Sequence, residues 1–253
     1  MPNYCENTLD ITCPRETFLT TLQPLLFAKA TEDATQYDLR PHLPLMPKDL
    51  MFFSFTALLP TPPELSGLSA PARIVTKQER DKFLEDKAMN NRTYGEPITK
   101  KMSEDFIKRF GHNDWYNWNV ANWGTKWDAD VYHIESNLLT EPNSSAVTLK
   151  VGFSTAWSPP TSWFNALCDI LRDEELSMEI RYSEEGMGFA GTHYFNSGLR
   201  WEAEGRVYMV QDSTDIPVTY DGKKHQWRND KGRFVSDDDL RTEYEYDSNS
   251  IFL

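Results

Sequence analysis

AVTLKVGF, residues 146–153, alternates Val147, Leu149, Val151 and Phe153 with Ala146, Thr148, Lys150 and Gly152. Successive side chains of a strand point to opposite faces, so this period of two predicts a strand with one face buried. Reading outward, Ser158-Pro159-Pro160 caps a helix over 160–172, in which Trp163, Leu167, Ile170 and Leu171 fall at i, i+4, i+7 and i+8. That spacing puts them on one helical stripe. Met178, Ile180 and Tyr182 then alternate with Glu179, Arg181 and Ser183, a second strand. Upstream, Asp130–Glu135 reads as a strand that reaches residue 146 through a turn at Glu141-Pro142-Asn143.

The N-terminus supplies the missing half. Residues 5–12, CENTLDIT, read as a strand with Leu9 and Ile11 on one face. Pro14 suits a first helical turn, where an N–H would be unpaired anyway, and Pro24 predicts a stop near Gln23. The order is therefore strand, helix, long excursion, strand, strand, helix, strand. This is an α+β, ferredoxin-like βαββαβ antiparallel sheet with helices on one face, a long insertion after the first helix, and extra C-terminal strands. Segments 1–27 and 126–215 form the discontinuous core, 28–125 the inserted, partly helical segment, and 216–253 an acidic C-terminal segment. Strands at 5–12, 130–137, 145–153 and 177–183 make the sheet, extended by residues after 188, including a strand over Arg200–Val210.

Within the insertion, MFFSFTALL (51–59) is a strand or buried segment closed by the prolines of PTPPEL, and 28–50 is loop. A helix is expected over Lys77–Met89. Met102, Phe106, Ile107 and Phe110 form the apolar face of another, ending at Gly111. A short helix runs from Asn113 as N-cap to Asn122, stopped by Gly124. It opens the stretch WYNWNVANWGTKWD (115–128), which holds four of the chain's eight tryptophans. Buried indoles need a partner for the N–H, so this clustering predicts a tightly specified junction between insertion and sheet.

The net charge of the 253 residues is −13. From Asp173 onward 18 acidic residues face 9 basic ones, whereas Arg73–Arg109 holds 10 basic against 7 acidic. Such a balance disfavours nucleic acid and anionic membrane, whose phosphates must be neutralised, and suits a basic partner surface or plain solubility. No apolar run reaches eighteen residues and no signal-peptide pattern opens the chain, so neither membrane insertion nor export is expected. Cys5, Cys13 and Cys168 are odd in number and lack CxxC spacing, which reads as reduced thiols in a cytoplasmic setting.

Four groups are candidates for chemistry. Asp128, Asp130 and His133 carry metal-ligand types, but in a strand His133 points away from the two carboxylates, so a polar sheet edge is expected. Glu184 and Glu185 precede a glycine turn, with His193 on a neighbouring strand. Paired carboxylates divide acid and base roles only where burial separates them, and an exposed turn is the simpler reading. Gly186, Gly188 and Gly191 spell GxGxxG, yet the following FAGTHYF reads as strand, not as the helix a pyrophosphate site requires. Cys168 reads as a buried structural thiol. No GxSxG, HExxH, P-loop or zinc-finger pattern occurs, and no cofactor, metal or catalytic residue is expected.

MPNYCENTLDIT at the start, PTPPEL (60–65), NVANWGTKWDA (119–129), FSTAWSPP (153–160) and YSEEGMGFAG (182–191) together resemble the YubB-type family of plasmid and phage proteins, which carries a ferredoxin-like domain. The resemblance spans residues 1 to about 195. It implies a mobile-element origin and a bacterial cytoplasmic location, and brings no catalytic residue with it. The leading expectation is thus a non-enzymatic interaction protein that binds a host protein with a basic or nucleic-acid-binding surface, plausibly as a counter-defence inhibitor. Its surface would draw on Trp123, Trp127, Asp128, Glu184, Glu185 and the acidic tail residues Asp237, Asp238 and Asp239. A small enzyme with its site near the Glu184–Gly191 turn and a virion component are the alternatives. The oligomeric state is left open.

Overall fold

Strand β1, Tyr4–Pro14, buries Cys5, Asn7, Leu9, Ile11 and Cys13 and turns the alternate residues to the other face. It lies at the centre of a six-stranded sheet in the computed structural model, which describes residues 3–29, 51–90, 95–138, 140–196 and 199–205 and five short strands beyond. The other strands are β2 (Asp130–Ser136), β3 (Ala146–Ala156), β4 (Ser177–Glu184), β5 (Phe189–Asn196) and β6 (Leu199–Gly205). Their order is β6-β5-β4-β1-β3-β2, with every neighbouring pair antiparallel. The first four strands therefore run 4-1-3-2, the ferredoxin-like arrangement expected from the alternation. The extra strands extend the sheet beside β4.

The first helical stretch, α1 (Arg15–Leu26), and α5 (Thr161–Ile170) put Phe18, Leu22, Leu26, Trp163, Phe164 and Leu167 into one core with Leu9, Ile11, Leu149, Val151 and Phe153. Pro24 does not stop α1. Phe18–Leu22 forms a wide π turn in which the Gln23 N–H bonds the Phe18 carbonyl, and Pro24 opens the final turn, where its missing donor costs little. In α5 the buried stripe is Trp163, Phe164, Leu167, Cys168 and Leu171, whereas Ile170 is 54% exposed. The stripe is rotated from the expected one because Phe164 stacks on His193 of β5. Ser158 does not cap the helix; Pro160 holds that position and makes no side-chain bond.

The segment between α1 and β2 is tied to this core. Phe27–Lys29 pairs with Met51–Phe53, and the fully buried Phe53 and Phe55 pack on Phe153 and Trp163. Helices α2 (Lys77–Asn90) and α3 (Lys100–Phe110) follow, joined at their starts by a short parallel pair, Ile74–Val75 with Ile98–Thr99. On α3 Phe106 is buried, while Ile107, off the i, i+4, i+8 stripe of Met102, Phe106 and Phe110, is 51% exposed. Helix α4 (Trp115–Trp123) is capped by Asp114, not Asn113: the Asp114 carboxylate accepts the Asn117 N–H at 2.8 Å. Gly124 closes it with φ 87, as a left-handed helix end requires.

The strand expected over Arg200–Val210 is two. Leu199–Gly205 belongs to the main sheet, and Val207–Val210 pairs with Arg241–Tyr244. The acidic C-terminal segment thus contains a strand, Arg241–Tyr244. Val218–Asp221, Gln226–Asn229 and Phe234–Val235 form a separate three-stranded meander. Asp237, Asp238, Asp239 and the loop expected over most of 28–50 lie outside the described residues.

Candidate functional site: an aromatic surface at one end of the sheet

Three of the resembling segments meet at one place. Gly124 approaches the start of α5 so closely that a Cβ would lie 3.0–3.2 Å from the backbone of Pro159, Thr161 and Ser162. The contact is stitched by side chains: Ser158 Oγ donates to the Gly124 carbonyl at 2.6 Å, and Thr125 Oγ1 to the Ala156 carbonyl at 3.0 Å. Asn119 joins the PTPP segment, accepting from Thr61 Oγ1 at 2.7 Å and donating to the Lys126 carbonyl at 2.9 Å. Behind them Asn7 Nδ2, 1% exposed, bonds Thr155 Oγ1 at 2.9 Å, whose hydroxyl donates to the Ser158 carbonyl. Buried polar groups are tolerated only when paired, and this network pairs them.

The junction has an inner and an outer side. Inside, Trp123 is 3% exposed and its Nε1 donates to the Leu59 carbonyl at 2.9 Å; Trp118 packs edge-on against it. Asp128 also works inward. Its carboxylate accepts the N–H groups of Phe55 and Ala129 at 2.7 and 2.8 Å and the Ser54 hydroxyl at 2.5 Å. Those bonds commit the carboxylate to holding the junction together.

Outside, Trp127 and Trp157 are 41% and 39% exposed. The Lys126 ammonium sits 4.3 Å from the Trp127 ring, 5.3 Å from that of Trp157 and 5.6 Å from that of Tyr116. The Tyr116 and Trp157 rings stand at 73° to each other, with centroids 6.5 Å apart. Trp157 adopts φ 68, where a bulky L side chain costs about 1–2 kcal/mol, and its N–H is held by the Asn3 carbonyl at 2.9 Å. An exposed cation–π contact contributes about 0.5–1 kcal/mol, so stacking on Lys126 offsets only part of the strain at this tryptophan.

The second glycine turn lies at the same end. Asn3 reaches Gly186, where a Cβ would come within 2.3 Å of its amide. Glu184 is 2% exposed and its carboxylate accepts the N–H groups of Gly186 and Met187. The expected exposed turn residue is therefore buried as the turn's own cap, and of the two acids it is Glu185 that is exposed. His193 lies on β5. It pairs in register with Ile180, lies 3.2 Å from Thr161 Oγ1 and stacks on Tyr182 and Phe164. Gly188 has φ 68 in the turn and β5 follows it, so GxGxxG stands on a hairpin, with no helix to receive a phosphate.

The remaining candidates are similarly placed. In β2 the register shifts between Val131 and His133, so Val131 and Ile134 both turn inward and Tyr132 and His133 both outward. His133 thus shares the outer face with Asp130, contrary to simple alternation, and lies 3.6 Å from Glu135. Asp128 is not on that face. Cys5, Cys13 and Cys168 are buried thiols that form no disulfide; burial, reinforced by nearby Glu184, pushes the Cys5 thiol up to about 12, which keeps it neutral. Among the described residues no cluster of three or more His, Cys, Asp or Glu side chains is arranged to hold a metal. None of their helices is long and apolar enough to cross a membrane.

Sequence reasoning named Trp127 but missed Tyr116, Lys126 and Trp157. The available signal was Trp157 inside FSTAWSPP, together with a lysine set between Trp123 and Trp127. Residues 122–206 match the model of a family described as a ferredoxin-like domain in Api92-like protein, a span that includes Lys126, Trp127 and Trp157. No curated protein and no solved structure matches the chain.

Proposed function

We propose that the chain is a non-enzymatic protein-binding module whose contact surface is the aromatic end formed by Tyr116, Trp127 and Trp157. The observation that carries this reading is the pair of exposed tryptophans gathered within 5.3 Å of one ammonium. Tryptophan and tyrosine are enriched among the few residues that dominate binding energy in protein interfaces, and a rigid turn presents them at low entropic cost. The net charge of −13 favours a partner with a basic surface and opposes nucleic acid itself. Glu185 lies beside this end, and the acidic tail around Asp237, Asp238 and Asp239 adds long-range attraction. Glu184, Asp128 and Trp123 leave the proposed contact set because their groups face inward.

The likeness of the motif segments to YubB-type plasmid and phage proteins supports a bacterial host protein as partner and a counter-defence role in the host cytoplasm. Catalysis is less well supported: Glu184, the central residue of an enzyme reading, spends its carboxylate on backbone N–H groups.

The test is an affinity pull-down from bacterial lysate at low and high salt, with the wild-type chain and a Trp127→Ala/Trp157→Ala double variant. A stoichiometric partner whose capture falls at least tenfold in the variant is the expected result. Equal capture by both proteins would remove the aromatic end from the account. Neutralising Asp237, Asp238 and Asp239 should change mainly the salt dependence of capture.

A further inference from the structure

We propose that Tyr116, Trp127 and Trp157 form a cage for an alkylammonium group presented by the partner, and that Lys126 is an internal occupant which that group displaces. The proposal rests on the partner-binding reading and names the chemistry the partner must carry. Three rings surround one point, with the Lys126 Nζ at 4.3, 5.3 and 5.6 Å from their centroids. Two of them meet at 73°, which wraps a rounded cation instead of sandwiching a flat guanidinium. Aromatic faces carry negative potential and are the usual receptor for quaternary ammonium.

Lys126 makes a poor permanent occupant. In a chain with thirteen excess negative charges, its ammonium has no carboxylate within ion-pair distance among the described residues. Its main chain is fixed by Asn119 and by the Thr125 bond to Ala156, so the side chain can leave without disturbing the turn. A primary ammonium is strongly hydrated and loses water when it stacks. A methylated ammonium has fewer or no N–H groups to desolvate, so it competes favourably for the same rings. The left-handed φ of Trp157 and the bond from its N–H to the Asn3 carbonyl fix the backbone from which the third wall projects.

The experiment is a titration of the whole chain with tetramethylammonium chloride, followed by the indole N–H resonances of Trp127 and Trp157, with sodium chloride as the ionic-strength control. The two resonances are expected to move with tetramethylammonium and not with sodium. Removing the internal competitor by Lys126→Ala should lower the half-saturating concentration about threefold, and Lys126→Met should act alike if the fold is intact. Trp157→Gly should abolish the response. A trimethyllysine peptide binding more tightly than its lysine counterpart identifies a protein side chain as the source. Stronger binding of choline than of that peptide would overturn the partner-borne source. Indole resonances unmoved in both Lys126 variants would overturn the cage. If that happened while the tryptophan double variant still lost its partner, only the cage would fall; undiminished capture by the double variant would remove the underlying reading as well.

Discussion

The inner and outer sides of the α4–β2 junction both draw on residues 115–128, joined on the outer side by Trp157, yet they follow opposite physical rules. Inside, Trp118 and Trp123 are enclosed, the Trp123 indole is paired, and Asp128 satisfies three donors. Outside, Trp127 stands with Trp157 and Tyr116 around a cation, two-fifths of its surface exposed. Exposed apolar rings gathered in one place and set on a strained turn contribute little to folding. The comparison separates aromatic residues that hold the junction together from those held out by it.

Substitutions at three positions test that division, and the largest effect belongs inside. Trp123→Ala should cost about 3–5 kcal/mol in denaturant unfolding, because it leaves a cavity beside Phe55 and strands the Leu59 carbonyl. A cost near that of an ordinary surface change would erase the distinction. Asp128→Ala should cost about 2–3 kcal/mol by leaving the Phe55 and Ala129 N–H groups and the Ser54 hydroxyl without their acceptor. Thermal unfolding of that variant at the wild-type midpoint would show the bonds to be dispensable. The smallest effect comes at Trp157, where the order of variants matters more than the size. Trp157→Gly should be about 1 kcal/mol more stable than Trp157→Ala, since glycine alone accepts φ 68 without strain. The reverse order would mean that the turn carries no strain and that the tryptophan is there for packing.

The sheet was legible because its signals are local. Val147 to Phe153 and Met178 to Tyr182 alternate cleanly, and the spacing of Trp163 and Leu167 follows one helical face. Alternation is strong only while the register is regular, which is why the faces of Asp130 and His133 were misassigned across the break after Val131. Pro24 and Ile170 went wrong for a related reason: a π turn and a neighbour on β5 shift the helical phase, and neither is written in the local pattern. The aromatic end was less legible still. Residues 116, 126–127 and 157 come together only through the Gly124 approach and the Ser158 and Thr125 bonds. Nothing in a tryptophan's identity says whether its ring faces inward, so Trp123 and Trp127 looked equivalent.

The irregularity in β2 reaches beyond the placement of one histidine. In the order of the six-stranded sheet, β2 is an outermost strand, and a straight outermost strand offers a second molecule a row of unpaired amides to zip onto. The extra residue breaks the spacing of that row, and Tyr132 leans across Gly152, where even a methyl group would meet the ring at 2.7 Å. Asp130, His133 and Glu135 then line the rim with titratable groups. A growing β-fibril would find no regular ladder here, so the kink that upset the alternation also guards the protein against self-templated aggregation.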